Sequence, residues 1–117
     1  MVDEALLQKL IELRKDVHKH PEPGFKEVRT QGVIKKTLIE AGVDPSAIKV
    51  IKGLKFSSIL NKSPKVSAGT GLVVDIKGTG EPRKEGHGGI SMIALRADID
   101  ALQMTEANHD LPHRSVQ

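Results

Sequence analysis

The stretch Ser91-Met-Ile-Ala-Leu-Arg-Ala-Asp-Ile-Asp-Ala-Leu-Gln-Met-Thr-Glu106 decides how the rest of the chain is read. The apolar run from Ile90 to Leu95 predicts a buried strand, bounded upstream by Gly88-Gly89 and ended by charge. Arg96, Asp98 and Asp100 follow at alternate positions. If strand geometry persists to Asp100, its period of two puts all three side chains on one face. The C-terminal end of a buried strand is where open α/β sheets place their chemistry. The same spacing also fits an ion-paired strand end that only terminates the strand. Spacing alone does not choose between them.

Upstream, Gly78 to Gly89 is a polar, glycine-rich connection, and Gly69 to Lys77 reads as a strand rich in β-branched residues. Strands joined by such a loop predict an antiparallel hairpin between the Gly69–Lys77 and Ile90–Leu95 segments. Gly69-Thr-Gly71 and Gly78-Thr-Gly80 open no predicted helix, so they read as turns and not as phosphate loops. Ile48, Val50 and Ile51 suggest a further short strand, and Leu54 to Leu60 a short element of undefined type. Two helices come first. Leu6, Leu7, Leu10, Ile11 and Val17 carry helical spacing from Asp3 to about Lys19, with Asp3 as N-cap. Pro21 stops that helix near His20, and Pro21-Glu-Pro-Gly24 turns the chain. The second helix runs from about Lys26 or Arg29 to Ala41, with Gly42 as its terminating glycine. The order, two helices and then three strands, predicts an α/β fold: an incomplete N-terminal part of a layered α/β/α domain.

The 117 residues allow one domain at most. Hydrophobic residues make up 38% and charged residues 28%, which fits a globular chain and not a disordered one. The net charge of +3 comes from 18 basic against 15 acidic residues without a like-charge run, and Phe25 and Phe56 are the only aromatics. Nucleic-acid binding by base stacking is therefore disfavoured. With no cysteine, the chain has neither disulfides nor thiolate metal sites. The N-terminus lacks a secretory pattern, and no stretch reaches the ~20 apolar residues of a membrane span. A cytoplasmic location is the expectation.

The string Ala94-Leu-Arg-Ala-Asp-Ile-Asp-Ala-Leu102, with Met104-Thr-Glu106 and Leu111-Pro-His-Arg-Ser115, resembles the amidohydrolase branch of the M20 metallopeptidases. That branch includes aminoacylase-like, hippurate hydrolase-like and auxin-conjugate hydrolase-like enzymes. A second block, Arg14-Lys-Asp-Val-His-Lys-His-Pro-Glu-Pro-Gly-Phe-Lys-Glu27 followed by Thr30, is similar to the family's opening signature. The resemblance covers most of the chain, most thinly from about Lys52 to Ala68 and from Glu81 to Gly89. It implies that residues 1–117 are the N-terminal part of an M20-type catalytic domain acting on N-acyl amino acids or related amides.

The resemblance also implies roles for individual residues. Asp98 corresponds to the aspartate that supports a metal-binding histidine beside a two-metal centre; such a carboxylate fixes the imidazole tautomer and raises its basicity. Arg96 stands where other M20 branches place a histidine ligand, and a guanidinium cannot ligate a metal. Asp100 caps or anchors the following loop. His20, Glu22 and Glu27 form a hydrogen-bonding turn beneath the site. His18 and His20, two residues apart, are poorly spaced for joint chelation, His87 sits in a loop, and His109 and His113 are too few for a site alone. Gln103 replaces a family proline, and His113 a frequent tyrosine.

In the family a Cys-Gly-His-Asp block and a paired glutamate follow, supplying the metal ligands and general base for two divalent ions, Zn or Mn. Hydrolysis needs a metal-activated water and a carboxylate to take its proton. The expectation is a chain that binds no metal and is inactive alone. The alternative is a non-catalytic binding or regulatory module that associates with a full-length relative or with itself through exposed strand edges.

Overall fold

The computed structural model describes residues 3–52, 55–56, 65–66, 69–80 and 92–116. Helix α1 spans Glu4–Lys19, capped by the Asp3 carboxylate, which accepts from the Ala5 amide at 3.1 Å. It ends at His20, immediately before Pro21, as the proline requires. Helix α2 spans Val28–Glu40. It closes where Gly42, at φ +93°, lets its own amide donate to Ile39 and the Val43 amide donate back to Leu38, at 2.9 and 3.0 Å. That paired arrangement needs a left-handed residue after the helix, which glycine adopts without a Cβ penalty.

A short 3₁₀ turn, Pro45–Ala47, leads into β1, Ile48–Ile51. β2 (Lys55–Phe56) pairs antiparallel with β3 (Lys65–Val66), and β1 pairs antiparallel with β4 (Gly71–Val74). The register sets Ile48 opposite Val74 and Val50 opposite Leu72, so four aliphatic side chains share one face. The Asp75 amide extends the ladder by donating to the Ala47 carbonyl at 3.1 Å. The chain is thus mixed α/β, two helices followed by short antiparallel strand pairs.

Two sequence expectations are corrected. The Gly69–Lys77 segment forms a strand only over Gly71–Val74, and its partner is β1 and not the Ile90–Leu95 segment. The aliphatic pairs of β1 and β4 supply the matching face that selects this pairing. Ile90 itself lies outside the described residues, as do 81–89 with their predicted loop, and so does most of Leu54–Leu60. The described remainder, 92–100, forms no strand; Met92, Ile93 and Leu95 lie open, with Leu95 97% exposed, and Ile99 is half-buried.

The predicted apolar face of α1 has the right period but little cover. Leu6, Leu7 and Leu10 remain about half exposed. Among the described residues Ile48 is the one buried hydrophobic side chain, whereas Glu27, Thr30, Thr70 and Ser115 are all buried. The best-covered region is therefore polar, and it sits where the start of α2 meets the turn before β4. The Gln31 side-chain amide donates to the Gly69 carbonyl at 2.6 Å and fastens that junction.

Gly69 has φ +85°, and a Cβ there would stand 2.8 Å from the Lys52 Cγ. Gly69→Ala is expected to lower stability by about 1 kcal/mol, from left-handed strain together with displacement of the lysine stem. Urea unfolding monitored by circular dichroism measures it; an unchanged midpoint would show that the backbone relaxes at no cost.

No helix among the described residues is long and apolar enough to cross a membrane.

Candidate functional site

Glu22 organises the Arg14–Glu27 block. Its carboxylate accepts from the Arg29 amide at 3.0 Å and the Thr30 amide at 2.6 Å. Those are two of the free N–H groups at the start of α2, whose own N-cap residue, Glu27, makes no capping bond. Negative charge there also complements the helix dipole. Burial raises the Glu22 carboxyl, but the bonds from Thr30 and Arg29 outweigh it, and the group lies below its ordinary value. Asp16 on α1 accepts from one guanidinium nitrogen of Arg29 at 2.9 and 3.0 Å, tying the end of α1 to the start of α2. The Arg29 hydrogen bond lowers the Asp16 carboxyl. The His20 ring Nδ1 lies 2.8 Å from the Asp16 carbonyl oxygen, which orients the imidazole at the helix end.

Glu27 is 7% exposed. Burial raises its carboxyl, while the Thr70 hydroxyl and the amides of Glu27 and Phe25 lower it by a larger amount, so it too lies below the usual range. Its Oε2 is buried with no hydrogen-bond partner. Phe25, at φ +69°, takes the left-handed conformation that lets the chain double back between Glu22 and Glu27.

The Ala94–Leu102 segment meets the Arg14–Glu27 block at the Glu22–Gly24 turn. The Ala101 amide donates to the Glu22 carbonyl at 2.8 Å, and a Cβ on Gly24 would lie 3.8 Å from the Asp100 carboxylate. Asp100 is thus placed over the His20–Gly24 turn. Arg96 and Asp98 lie farther along and pair with each other, their side chains 83% and 64% exposed. Arg96 and Asp98 thus form an exposed ion pair in a segment that is not a strand.

A further contact joins α1 to the 106–115 loop. His18 Nε2 lies 3.1 Å from the Glu106 carboxylate, which also accepts from the Ser115 amide at 3.0 Å. The Ser115 hydroxyl donates to the Met104 carbonyl at 2.8 Å, and the Glu106 amide donates to the Ser115 carbonyl at 3.2 Å. These bonds close a loop over 106–115 and set it against the end of α1, where the His18 and His113 rings meet edge-on at 6.0 Å. The Ser115 amide, then His18, hold the Glu106 carboxyl below its ordinary value. The sequence signal existed: both Met-Thr-Glu106 and Arg-Ser115 stand in the resembled motif, but spacing gives no hint that the loop folds back onto His18. His109 faces Arg114 at 2.7 Å, away from this contact.

Among the described residues no group of three or more His, Cys, Asp or Glu side chains lies close enough to hold a metal ion. Asp98 faces Arg96, and His18 and His20 are engaged with Glu106 and Asp16. The described donor set does not fit a two-ion centre.

Comparison with known proteins shows what this mixed α/β chain is similar to. The chain is 34% identical over 115 residues to an N-acetylcysteine deacetylase of Bacillus subtilis, covering 98% of this chain and 23% of that protein. It is 33% identical over 100 residues to an N-acetyldiaminopimelate deacetylase of Bacillus subtilis, covering 86% of this chain and 20% of the relative. It is also 36% identical over 109 residues to a putative glutamate–cysteine ligase of Rhodococcus jostii, 92% of this chain and 10% of that protein. No protein-family profile matches the chain, and no solved structure does. The chain belongs to the M20 amidohydrolase family. It spans less than a quarter of the length of these relatives.

Proposed function

We propose that the chain is the opening part of the catalytic domain of a metal-dependent amidohydrolase that removes the acyl group from N-acyl amino acids. The observation that carries this reading is the match, over 86% or more of the chain, to two proteins named as deacetylases of N-acetylated amino acids. When bound, the metal centre of such an enzyme supplies an activated water. In this reading Asp98 is a positioning residue for a histidine ligand, Asp100 and Glu22 fix the turn beneath it, and Arg96 holds the Asp98 carboxylate. Ligands and general base come from sequence other than these 117 residues, which turn over nothing alone. A cytoplasmic location belongs to the same proposal.

The test is release of acetate from N-acetyl amino acids with added Zn²⁺ or Mn²⁺, for the gene product purified from its native source and for the isolated 117-residue chain. Activity in the native product and none in the isolated chain is the expected result. Asp98→Asn in the active form should lower kcat/KM at least about tenfold, with a matching loss of metal affinity. Turnover by the isolated chain would overturn its assigned inactivity, and full activity of the asparagine variant would remove the role given to Asp98.

A further inference from the structure

The segment 101–116 leaves and rejoins one corner of the molecule. At one end the Ala101 amide donates to the Glu22 carbonyl at 2.8 Å; at the other the Val116 amide donates to the Lys19 carbonyl at 3.4 Å. Between those ties the chain is a compact surface loop, its ends close together, laid against the end of α1. Apolar packing holds it weakly, since Leu102, Met104 and Val116 are 77%, 55% and 42% exposed. A carboxylate holds it instead. Glu106 Oε2 accepts from the Ser115 amide within the loop and lies 3.1 Å from His18 Nε2 on α1. An ionised carboxylate only accepts, so the hydrogen of the second bond sits on Nε2. That bond stands with the imidazole neutral or protonated.

We infer that 101–116 is a strap that opens and closes as a unit over the end of α1, with Glu106 as its clasp. One oxygen both closes the strap on itself and fastens it to the helix. The bonds from the Ser115 hydroxyl to the Met104 carbonyl and from the Glu106 amide to the Ser115 carbonyl close the neck of the loop but do not reach α1. Ser115 is buried, so without Glu106 its amide regains a partner only when the strap lifts and water enters. Lifting it also unroofs a cleft lined by Lys15 and Lys19 of α1 and by Pro112 and His113 of the strap. The charges around the clasp favour the closed state. His18 faces Glu106 from α1, and His113 stands edge-on to His18; both favour the charged carboxylate. Glu12 and Asp16, which border the same cleft, are paired with Lys15 and Arg29. Protonating Glu106 weakens both bonds to the shared oxygen, because each is charge-assisted. The Ser115 amide and then His18 hold this carboxyl below its ordinary value of 4.5. The clasp is therefore fully closed above that value and released as pH falls through the folded one. It uses no side chain to which the proposed activity gives a role.

The chain has no cysteine, so two introduced ones can carry spin labels without interference. Lys9→Cys on α1 and Ala107→Cys on the strap, both exposed, form the pair. Pulsed electron spin resonance of the 117-residue chain should give one narrow distance at pH 7. Glu106→Ala should broaden it and speed amide exchange at Ser115 at least about tenfold, leaving exchange within α1 unchanged. Glu106→Gln keeps one acceptor oxygen and should fall between the two. From pH 6 to pH 3 the wild-type distance should broaden while the glutamine variant's stays as it was. A broad distribution in the wild type at pH 7 overturns the strap, and an equally narrow one in the alanine variant overturns the clasp. Loss of helical circular dichroism in the alanine variant also overturns the proposal, because a strap that opens as a unit leaves α1 intact. Identical pH profiles for wild type and the glutamine variant overturn release through Glu106.

Discussion

Replacing Glu22 with alanine should cost about 2–3 kcal/mol of stability and loosen the start of α2. The Glu22 carboxylate satisfies two backbone amides, those of Arg29 and Thr30. Removing a capping acceptor costs about 0.5–2 kcal/mol on its own. Thr30 is 2% exposed, so its amide is shut off from replacement water, and an unsatisfied buried donor costs a further 1–3 kcal/mol or so. Glu27 does not take over this role, because it is turned toward Thr70 and Phe25 instead. Glu22→Gln separates the two contributions. It keeps an acceptor oxygen but loses the charge and one of the two acceptors, so it should fall between wild type and alanine. Urea midpoints together with amide exchange at Thr30 measure both effects. If exchange at Thr30 is no faster in the alanine variant, the capping role assigned to Glu22 is wrong.

The helices were legible because their signals are local. Asp3, Pro21 and Gly42 each act within a few residues, and each acts as its chemistry dictates. Strand pairing was less legible because a β-rich run does not name its partner. Val73 and Val74 read correctly as strand, yet the choice of β1 over the Ile90 segment depends on which aliphatic faces meet. The expectation of burial at 92–95 rests on apolar character alone, and apolar character records what a segment can bury, not what this chain places over it. The site divides in the same way. Glu22 and Glu27 could be picked out by motif, whereas their partners Thr30 and Thr70, and the His18–Glu106 contact spanning 88 positions, come only from the fold.

Acid should destabilise the chain over a defined window, and the carboxylates that cause it can be named. Asp16, Glu22, Glu27, Asp44 and Glu106 all lie below their ordinary values of 3.8 for aspartate and 4.5 for glutamate. A carboxylate depressed in the folded state contributes stability that is fully present above its unfolded value and is lost as pH falls through the folded one. The loss therefore begins near pH 4.5, with Glu22, Glu27 and Glu106, and deepens below 3.8 as Asp16 and Asp44 join. It does not begin near neutrality. The five groups are unequal. Asp44 is open to solvent, where screening reduces the effect, and Asp16 and Glu106 are partly so. Glu22 and Glu27 carry most of the slope, the first half-buried and the second buried, both bonded to backbone amides. Urea midpoints measured from pH 6 to pH 3 should hold level to about 5 and then fall. Glu27→Gln should flatten that fall while lowering the plateau, because its amide cannot become protonated and binds the Phe25 and Glu27 amides less well than the carboxylate. High salt should leave the slope largely in place, since these are short bonds within the chain and not long-range attractions. A midpoint that declines with equal slope in the glutamine variant would assign the acid sensitivity to groups other than Glu27.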